Sequence, residues 1–319
     1  MTWNDSQRSR SLARVAGFRR VLLAGSARGL RRHVVGTLET MQCLWHDRPA
    51  VVWYQYSVAL GAVIAIYARL TGASVVADIH TKALQRRLSG VAGAILFWLK
   101  GRSLRSCDAV LVASEQNASY AREQFGLDPI VLPDPPPQPV PAGSVLESPT
   151  SDVVFICSFA SDEPVSFIVQ VAGRLRGKCT VAVTGDPSQL PPLPRAALVA
   201  AAQLTGFLPD AAYWALLRHA RCIFVLTTEP GCVPCGGYEA IAVGHRPVVF
   251  DGAAVRAVFR DDAIYIRPDV EAAVATVTEE LRQLAGAHRE LISDYEARWG
   301  DCWRGVAERL SHHRFRGRR

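Results

Sequence analysis

Apolar and polar positions follow a repeating rhythm in this chain: a short β-branched run, a glycine-rich or polar break, then a longer run with helical spacing. VLLAGS (21–26) predicts a strand and GLRRHVVGTLETMQCLWHD (29–47) a helix. VVWYQY (51–56) predicts a second strand, and VALGAVIAIYARL a helix ended by Thr71-Gly72. SVVADIH (74–80) is a strand, 84–107 one long helix, AVLVAS (109–114) a strand, EQNASYAREQFG a helix and IVLPD (130–134) a short strand. The uncharged stretch from Pro49 to Ala68 is long enough to span a bilayer, but Tyr54-Gln55-Tyr56-Ser57 lies near its middle. Strand followed by helix is the better division.

A proline-rich stretch without periodicity, 133–152, then interrupts the pattern. The rhythm restarts with strands at 153–160, 179–186, 204–208 and 222–228 and helices from Pro164 to Leu175 and over 211–220. PCGGYEAIAVGHRPVVF (234–250) supplies a helix start and a strand, AIYIRP (263–268) a last strand, and helices from 270 onward close the chain. Alternation of this kind predicts the α/β class with parallel sheets and right-handed crossovers. We expect a Rossmann-like domain over 1–135, a linker over 136–152 and a second Rossmann-like domain over 153–294. A helix from about 295 to 319 is expected to pack back on the first domain. Two doubly wound halves would aim their strand carboxyl ends at a shared cleft.

Composition narrows the partners. Of 319 residues, 49% are apolar, enough for two cores. The net charge of +7 suits anionic partners, although only Lys82, Lys100 and Lys178 are lysines, an arginine bias that fits a GC-rich genome as well as a function. Arginines are not interleaved with aromatics in a recognisable nucleic-acid module, so no nucleic-acid partner is expected. The N-terminus lacks the apolar core of a signal peptide. Eight scattered cysteines, several inside apolar runs, fit a reducing, cytoplasmic setting. Cys232-Val-Pro-Cys235 is a lone C-x-x-C without the second pair that zinc requires, so neither metal nor redox cofactor is expected.

Ligands of doubly wound folds gather where strands end and helices begin. Five such places carry polar or glycine residues: Asp78-Ile-His80, the run Ser158 to Glu163, Thr184-Gly185-Asp186, Thr205-Gly206-Phe207, and the turn from Thr227 to Glu239. In the last, Gly236 and Gly237 let backbone approach a ligand, and the helix start offers N–H groups to a phosphate. Glu239 then either accepts a pair of ribose hydroxyls or simply occupies a helix start that favours acids.

CIFVLTTEPGCVPCGGYEAIAVGHRPVVF, preceded by LTGFLPDAAYWALLRHAR, resembles the donor half of the retaining nucleotide-sugar glycosyltransferases of the GT-B fold. The likeness extends forward to VVFICSFASDEP and weakly into the N-terminal half. It implies ribose binding by Glu239 and diphosphate binding by backbone at Gly236 and Gly237, with Cys235, Tyr238, Ser158, Gly185, Thr205, Gly206 and Phe207 lining the donor site. His80 is similar to the histidine that such enzymes present to the donor sugar, with Asp78 beside it, and Glu229 stands nearest to the family's sugar-side glutamate. Three departures accompany the likeness. Nine residues rather than seven separate Glu229 from Glu239, and Ser158, Asp162 and Glu163 stand where the family places Arg and Lys. The start, Met1-Thr2-Trp3 followed by Asn4 to Arg10, reads as the acceptor-side loop, with Gln7 and Arg8, behind a shortened first strand. An upstream extension is therefore expected to stabilise the protein.

The resemblance implies glycosyl transfer from a nucleoside diphosphate sugar to a glycan, lipid-linked or small-molecule acceptor, without a metal. Two alternatives share the fold: a sugar-nucleotide epimerase using His80, Asp78 and Glu229 as acid and base, and a non-catalytic binding protein. Arg8, Arg10, Arg14, Arg19, Arg20, Arg28, Arg31 and Arg32, together with the helix containing AILFWLKGR, mark a surface for the cytoplasmic face of an anionic membrane. A solvated basic surface over core aromatics is the plainer alternative, and the tail Arg314 to Arg319 is read as a flexible end.

Overall fold

The computed structural model describes residues 1–2, 7–23, 29–140, 150–282 and 291–316. The chain divides into two units, Met1–Pro135 with Trp299–Arg319, and Pro136–Arg298. Both are α/β units around a parallel sheet, as the alternation predicts.

The first unit is built on four parallel strands, β1 (Val51–Gln55), β2 (Ser74–Asp78), β3 (Ala109–Val112) and β4 (Ile130–Val131), adjacent in that order. Every residue of β3 is buried, which is why it reads as a continuous apolar run rather than an alternating one. Beside β1 the backbone of Met1 and Thr2 bridges to a second segment: Gln55 N–H donates to Met1 O, and Thr2 pairs in parallel with Leu22. That bridge is the described part of the strand expected over 21–26; residues 24–28, Arg28 among them, lie outside the described residues. The helices are α1 (Gln7–Val15), α2 (Gly29–Asp47), α3 (Val58–Thr71), α4 (Thr81–Gln85), α5 (Gly90–Arg105) and α6 (Glu115–Phe125). Ser57 caps α3 by accepting from Leu60 N–H, and Gly72, at φ +70°, ends it in the left-handed region. The uncharged stretch 49–68 is thus β1 and α3, and among the described residues no helix is long and apolar enough to cross a membrane.

Two expectations in this unit are corrected. Residues 7–10 of the loop expected over 4–10 belong to a helix, α1, for the reason given with the site below, and residues 4–6 lie outside the described residues. The single helix expected over 84–107 is two, α4 and α5, broken at Arg86–Ser89. Lys100 stabilises the break: its Nζ donates to the carbonyls of Ala83, Leu84 and Arg86 at 2.8, 3.0 and 2.9 Å. It thereby supplies one N–H to each carbonyl left open at the end of α4. Burial, and after it the charge of Arg86, pushes the Lys100 ammonium down to about 8, while its three acceptors favour the charged form. Gly93 is required there because a Cβ would lie 2.0 Å from the carbonyl oxygen of Leu88. The later turns of α13 (Leu291–Arg316) complete this unit, with Trp299 Nε1–H on Pro133 O at 3.0 Å and Trp303 beside Trp53.

The second unit holds six parallel strands: β5 (Val153–Phe155), β6 (Val181–Thr184), β7 (Gln203–Gly206), β8 (Cys222–Phe224), β9 (Pro247–Phe250) and β10 (Ile264–Ile266). Their order is β10-β9-β8-β5-β6-β7. Helices α7 (Val165–Leu175), α8 (Pro192–Ala201), α9 (Asp210–His219), α10 (Cys235–Ala242), α11 (Ala253–Phe259) and α12 (Val270–Arg282) connect and cover them. On α7 the buried set Phe167, Ile168, Val171, Ala172 and Leu175 repeats at helical spacing and packs on the sheet core. Neither α8 nor α11 is visible in the pattern. The described face of α8 buries only Leu198, so it carries almost no apolar period. The part of the closing helices at 283–290 lies outside the described residues, as does the linker from 141 to 149.

Candidate functional site

The strand order of the second unit sets where its ligand belongs. From β5 the chain steps outward through β6 and β7, then returns to the other side of β5 with β8. The direction reverses between β5 and β8, and the crevice beyond the carboxyl ends at such a switch point is where doubly wound sheets bind ligands. Two loops border it, 156–164 after β5 and 225–234 after β8. Asp162 ties them together. Its carboxylate accepts from Thr227 Oγ1 at 3.0 Å, and its carbonyl accepts from Thr228 N–H and Oγ1 at 2.7 and 2.9 Å.

Helix α10 starts directly after the second loop. Gly236 and Gly237 are buried, and their place is fixed by packing: a Cβ on Gly236 would lie 2.8 Å from Ile156 Cγ2, and one on Gly237 2.4 Å from the Phe259 ring. The glycines thus seat the helix start on the ends of β5 and β8 and against α11, bringing its first N–H groups to the switch point. Cys235, the first residue of α10, is exposed, whereas Tyr238 is buried against Phe259 and Tyr295 as a core residue. Glu239 is the fifth residue of α10, beyond the first turn, so the helix-start explanation of its charge does not hold. It is half-buried, and its carboxylate accepts the Tyr213 hydroxyl from α9. Burial, and after it the Glu239 charge, pushes the Tyr213 phenol well above its ordinary value, so Tyr213 stays a donor at any working pH. Sequence reasoning missed Tyr213; the run AAYWALLRHA carries no mark that separates it from core aromatics.

The first loop is organised by Glu163. Its carboxylate accepts from Ser158 N–H at 2.9 Å, Ala160 N–H at 2.7 Å, Ser158 Oγ at 3.2 Å and Cys157 Sγ at 3.3 Å. Phe159 between them sits at φ +61°. Burial, then the Glu163 charge, holds the Cys157 thiol protonated. Gly185, at φ +93°, has no room for a side chain, since a Cβ would stand 2.3 Å from Cys157 O. Thr205 hydrogen-bonds Gly206 O, and Gly206 adopts φ +68° at the end of β7. Phe207 follows with its ring open, 77% exposed. Glu229 is half-buried in the second loop; its N–H donates to Thr227 Oγ1, and its carboxylate has no hydrogen-bond partner among the described residues.

In the first unit Asp78 ends β2 and is buried with Arg8 of α1. Arg8 Nε and Nη2 both reach the Asp78 carboxylate, at 2.9 and 2.8 Å, while Nη1 donates to Asp134 and Nη2 also to Leu132 O. Burial opposes the charge, but the two carboxylates outweigh it and hold the Arg8 guanidinium above its ordinary range. Asp78 is therefore held in a closed ion cluster. The inward face of α1, Arg8, Ser11 and Leu12, is mostly polar, which is why no apolar period announced the helix. Gln7 begins α1, and its side chain lies outside the described residues. His80 stands at the N-terminal cap of α4 with its Nε2 buried and without a hydrogen-bond partner among the described residues. Among the described residues no cluster of three or more His, Cys, Asp or Glu side chains is placed to hold a metal ion.

Residues 2–133 match the family model described as a glycosyl transferase 4-like domain. A comparison with curated proteins finds no sequence match. Among solved structures, HepE of Anabaena in complex with UDP-glucose aligns at a TM-score of 0.66 and 12% identity, covering 97% of this chain and 90% of that one. A UDP-forming α,α-trehalose-phosphate synthase from Burkholderia vietnamiensis aligns at 0.57 and 12%, covering 90% and 82%. A glycosyltransferase from Rickettsia africae aligns at 0.56 and 10%, covering 95% and 86%. At these identities the structural likeness establishes the fold, and the fold is GT-B. The first half thus matches a glycosyl transferase 4-like model, and the resemblance read from the second half is to glycosyltransferases as well.

Proposed function

From residues 2–133 matching a glycosyl transferase 4-like domain in a chain of GT-B fold, we infer that this protein transfers a sugar from a nucleoside diphosphate sugar, with retention. The observation that carries the reading is Glu239, held by Tyr213 one turn inside the helix that starts at the switch point. Glu239 accepts the ribose hydroxyls, and the first N–H groups of α10 with its dipole take the negative charge of the diphosphate. In the transfer the bond from the anomeric carbon to the diphosphate breaks. The acceptor oxygen bonds to that carbon from the same face, and its proton passes to the departing diphosphate oxygen. Charge accumulates on the leaving phosphate, where fixed N–H groups act most strongly. Glu229, in the second loop bordering the switch point, offers a half-buried carboxylate with an open hydrogen-bonding position on the donor side, and no metal is invoked. HepE was solved with UDP and UDP-glucose, which makes UDP the first probe. Calorimetric titration with UDP, GDP and ADP tests the reading: binding of one at micromolar strength is expected, and silence from all three ends it.

We place the acceptor at an anionic membrane surface. Val91, Ile95, Trp98 and Leu99 of α5 are exposed, Val91 by 79% and Trp98 by 58%, and Ile66 and Leu70 of the neighbouring α3 are open as well. Between Val58 and Ser106 the only acid is the buried Asp78, against the exposed Arg69, Lys82, Arg86, Arg87, Arg102 and Arg105. Apolar side chains flanked by unopposed arginines suit the cytoplasmic, anionic leaflet. In flotation assays the protein should bind phosphatidylglycerol vesicles and not phosphatidylcholine ones. Ile95→Asp with Trp98→Asp should lower that binding at least about tenfold. Equal recovery of wild type and variant with anionic vesicles would remove this assignment.

A further inference from the structure

We propose that Glu163 is an internal stand-in for a phosphate, so that a nucleoside diphosphate enters the switch point by displacing it. The proposal rests on the donor-site reading above and adds a regulating residue to it.

Ser158, Phe159 and Ala160 present three successive N–H groups at the carboxyl end of β5, the strand beside the reversal. The left-handed Phe159, a conformation an aromatic residue seldom adopts, turns the flanking N–H groups of Ser158 and Ala160 toward one point. Such a concavity of backbone donors binds anions. Here the point is occupied by a carboxylate from the same loop, which takes both N–H groups, the Ser158 hydroxyl and the Cys157 thiol. The Phe159 N–H is turned to Cys157 Sγ at 3.4 Å.

Charge makes the occupancy consequential. Residues 156–163 read ICSFASDE and 225–234 read VLTTEPGCVP. The two loops at the crevice therefore bring Asp162, Glu163 and Glu229 and no basic side chain. A diphosphate approaching this crevice meets an anion site already filled by a group of its own sign. Hydrogen bonds from backbone N–H to a carboxylate are charge-assisted and strong, so exchanging Glu163 for phosphate returns little while the displaced charge stays close by. Glu163 also keeps the loop in its binding shape when no ligand is present.

The test is calorimetry on the full chain with UDP, uridine and inorganic pyrophosphate, for wild type, Glu163→Gln and Glu163→Ala. Gln retains an oxygen acceptor for the loop and lacks the charge; Ala empties the site. Both variants are expected to bind UDP about tenfold more tightly than wild type, to gain similarly for pyrophosphate, and to bind uridine unchanged. A purely structural Glu163 predicts the opposite sign, because a loosened loop lowers UDP affinity. A decrease or no change for UDP overturns the proposal, as does a gain that uridine shares. If Glu163→Gln does not fold, Glu163→Ala carries the same comparison, and failure of both to fold makes Glu163 a structural residue and overturns the proposal. UDP binding by wild type without a gain in the variants sinks this inference alone. Absence of UDP binding in every form sinks it together with the donor-site reading.

Discussion

Arg8→Met should cost the first unit about 3–5 kcal/mol, the largest stability effect of any single substitution we foresee. The side chain is 1% exposed and neutralises Asp78 and Asp134 while also serving Leu132 O. Methionine fits the space but removes the guanidinium that the two buried carboxylates share. The loss then comes from desolvated charge and not from lost volume, and the two causes separate cleanly. Adding Asp78→Asn and Asp134→Asn to Arg8→Met removes both stranded charges, so the triple variant should recover most of the denaturant midpoint. If the triple variant is as unstable as Arg8→Met, volume or helix α1 itself is what Arg8 supports. The same experiment bears on chemistry. An Asp78 free to work as acid or base would let Asp78→Asn keep its stability and lose turnover. One locked to Arg8 should lose stability first, because the guanidinium is then short of a partner.

This buried pair also shows where the sequence stops being informative. Strands announce themselves because a parallel strand covered on both faces must be apolar at successive positions, as Ala109–Val112 is. Helices announce themselves when their inner face is apolar, as on Val165–Leu175. Helix α1 buries Arg8 and Ser11, so its inner face looks like a solvated one, and only the pairing with Asp78 and Asp134, distant in sequence, distinguishes them. The break between α4 and α5 was hidden for a related reason: the carbonyls it exposes are satisfied by Lys100, fourteen residues beyond Arg86. In the second unit the strand ends were legible from the rhythm, and Gly236-Gly237 from its place before a helix, whereas the reversal between β5 and β8 lies in a strand order that rhythm does not carry. Their purpose was not. A glycine admitting Phe259 reads the same as one admitting a phosphate until the neighbour is known. Ser158 and Glu163 each depart from the family pattern in sequence, but that one closes on the other depends on the left-handed turn at Phe159.

Glu239→Ala should weaken nucleoside diphosphate binding about a hundredfold, the largest effect on ligand affinity we foresee. Hydrogen bonds to a charged acceptor contribute about 1.5–3 kcal/mol each way of counting, and a hundredfold corresponds to roughly 2.7 kcal/mol. Tyr213 complicates the simple substitution, because alanine leaves its hydroxyl without the carboxylate that accepts it. Glu239→Gln keeps an oxygen for Tyr213 and should retain the fold while binding UDP about tenfold more weakly, the charge being gone. The sharper comparison uses 2′-deoxy-UDP. If Glu239 holds the ribose, wild type prefers UDP to its 2′-deoxy analogue, and Glu239→Ala binds the two alike. A variant that keeps the full preference would show that another group reads the ribose and that Glu239 serves partners within the protein. Tyr213→Phe settles which of the two partners leads: with the carboxylate present but unanchored, the preference for UDP should shrink without vanishing, since the hydroxyl aims Glu239 and does not touch the sugar.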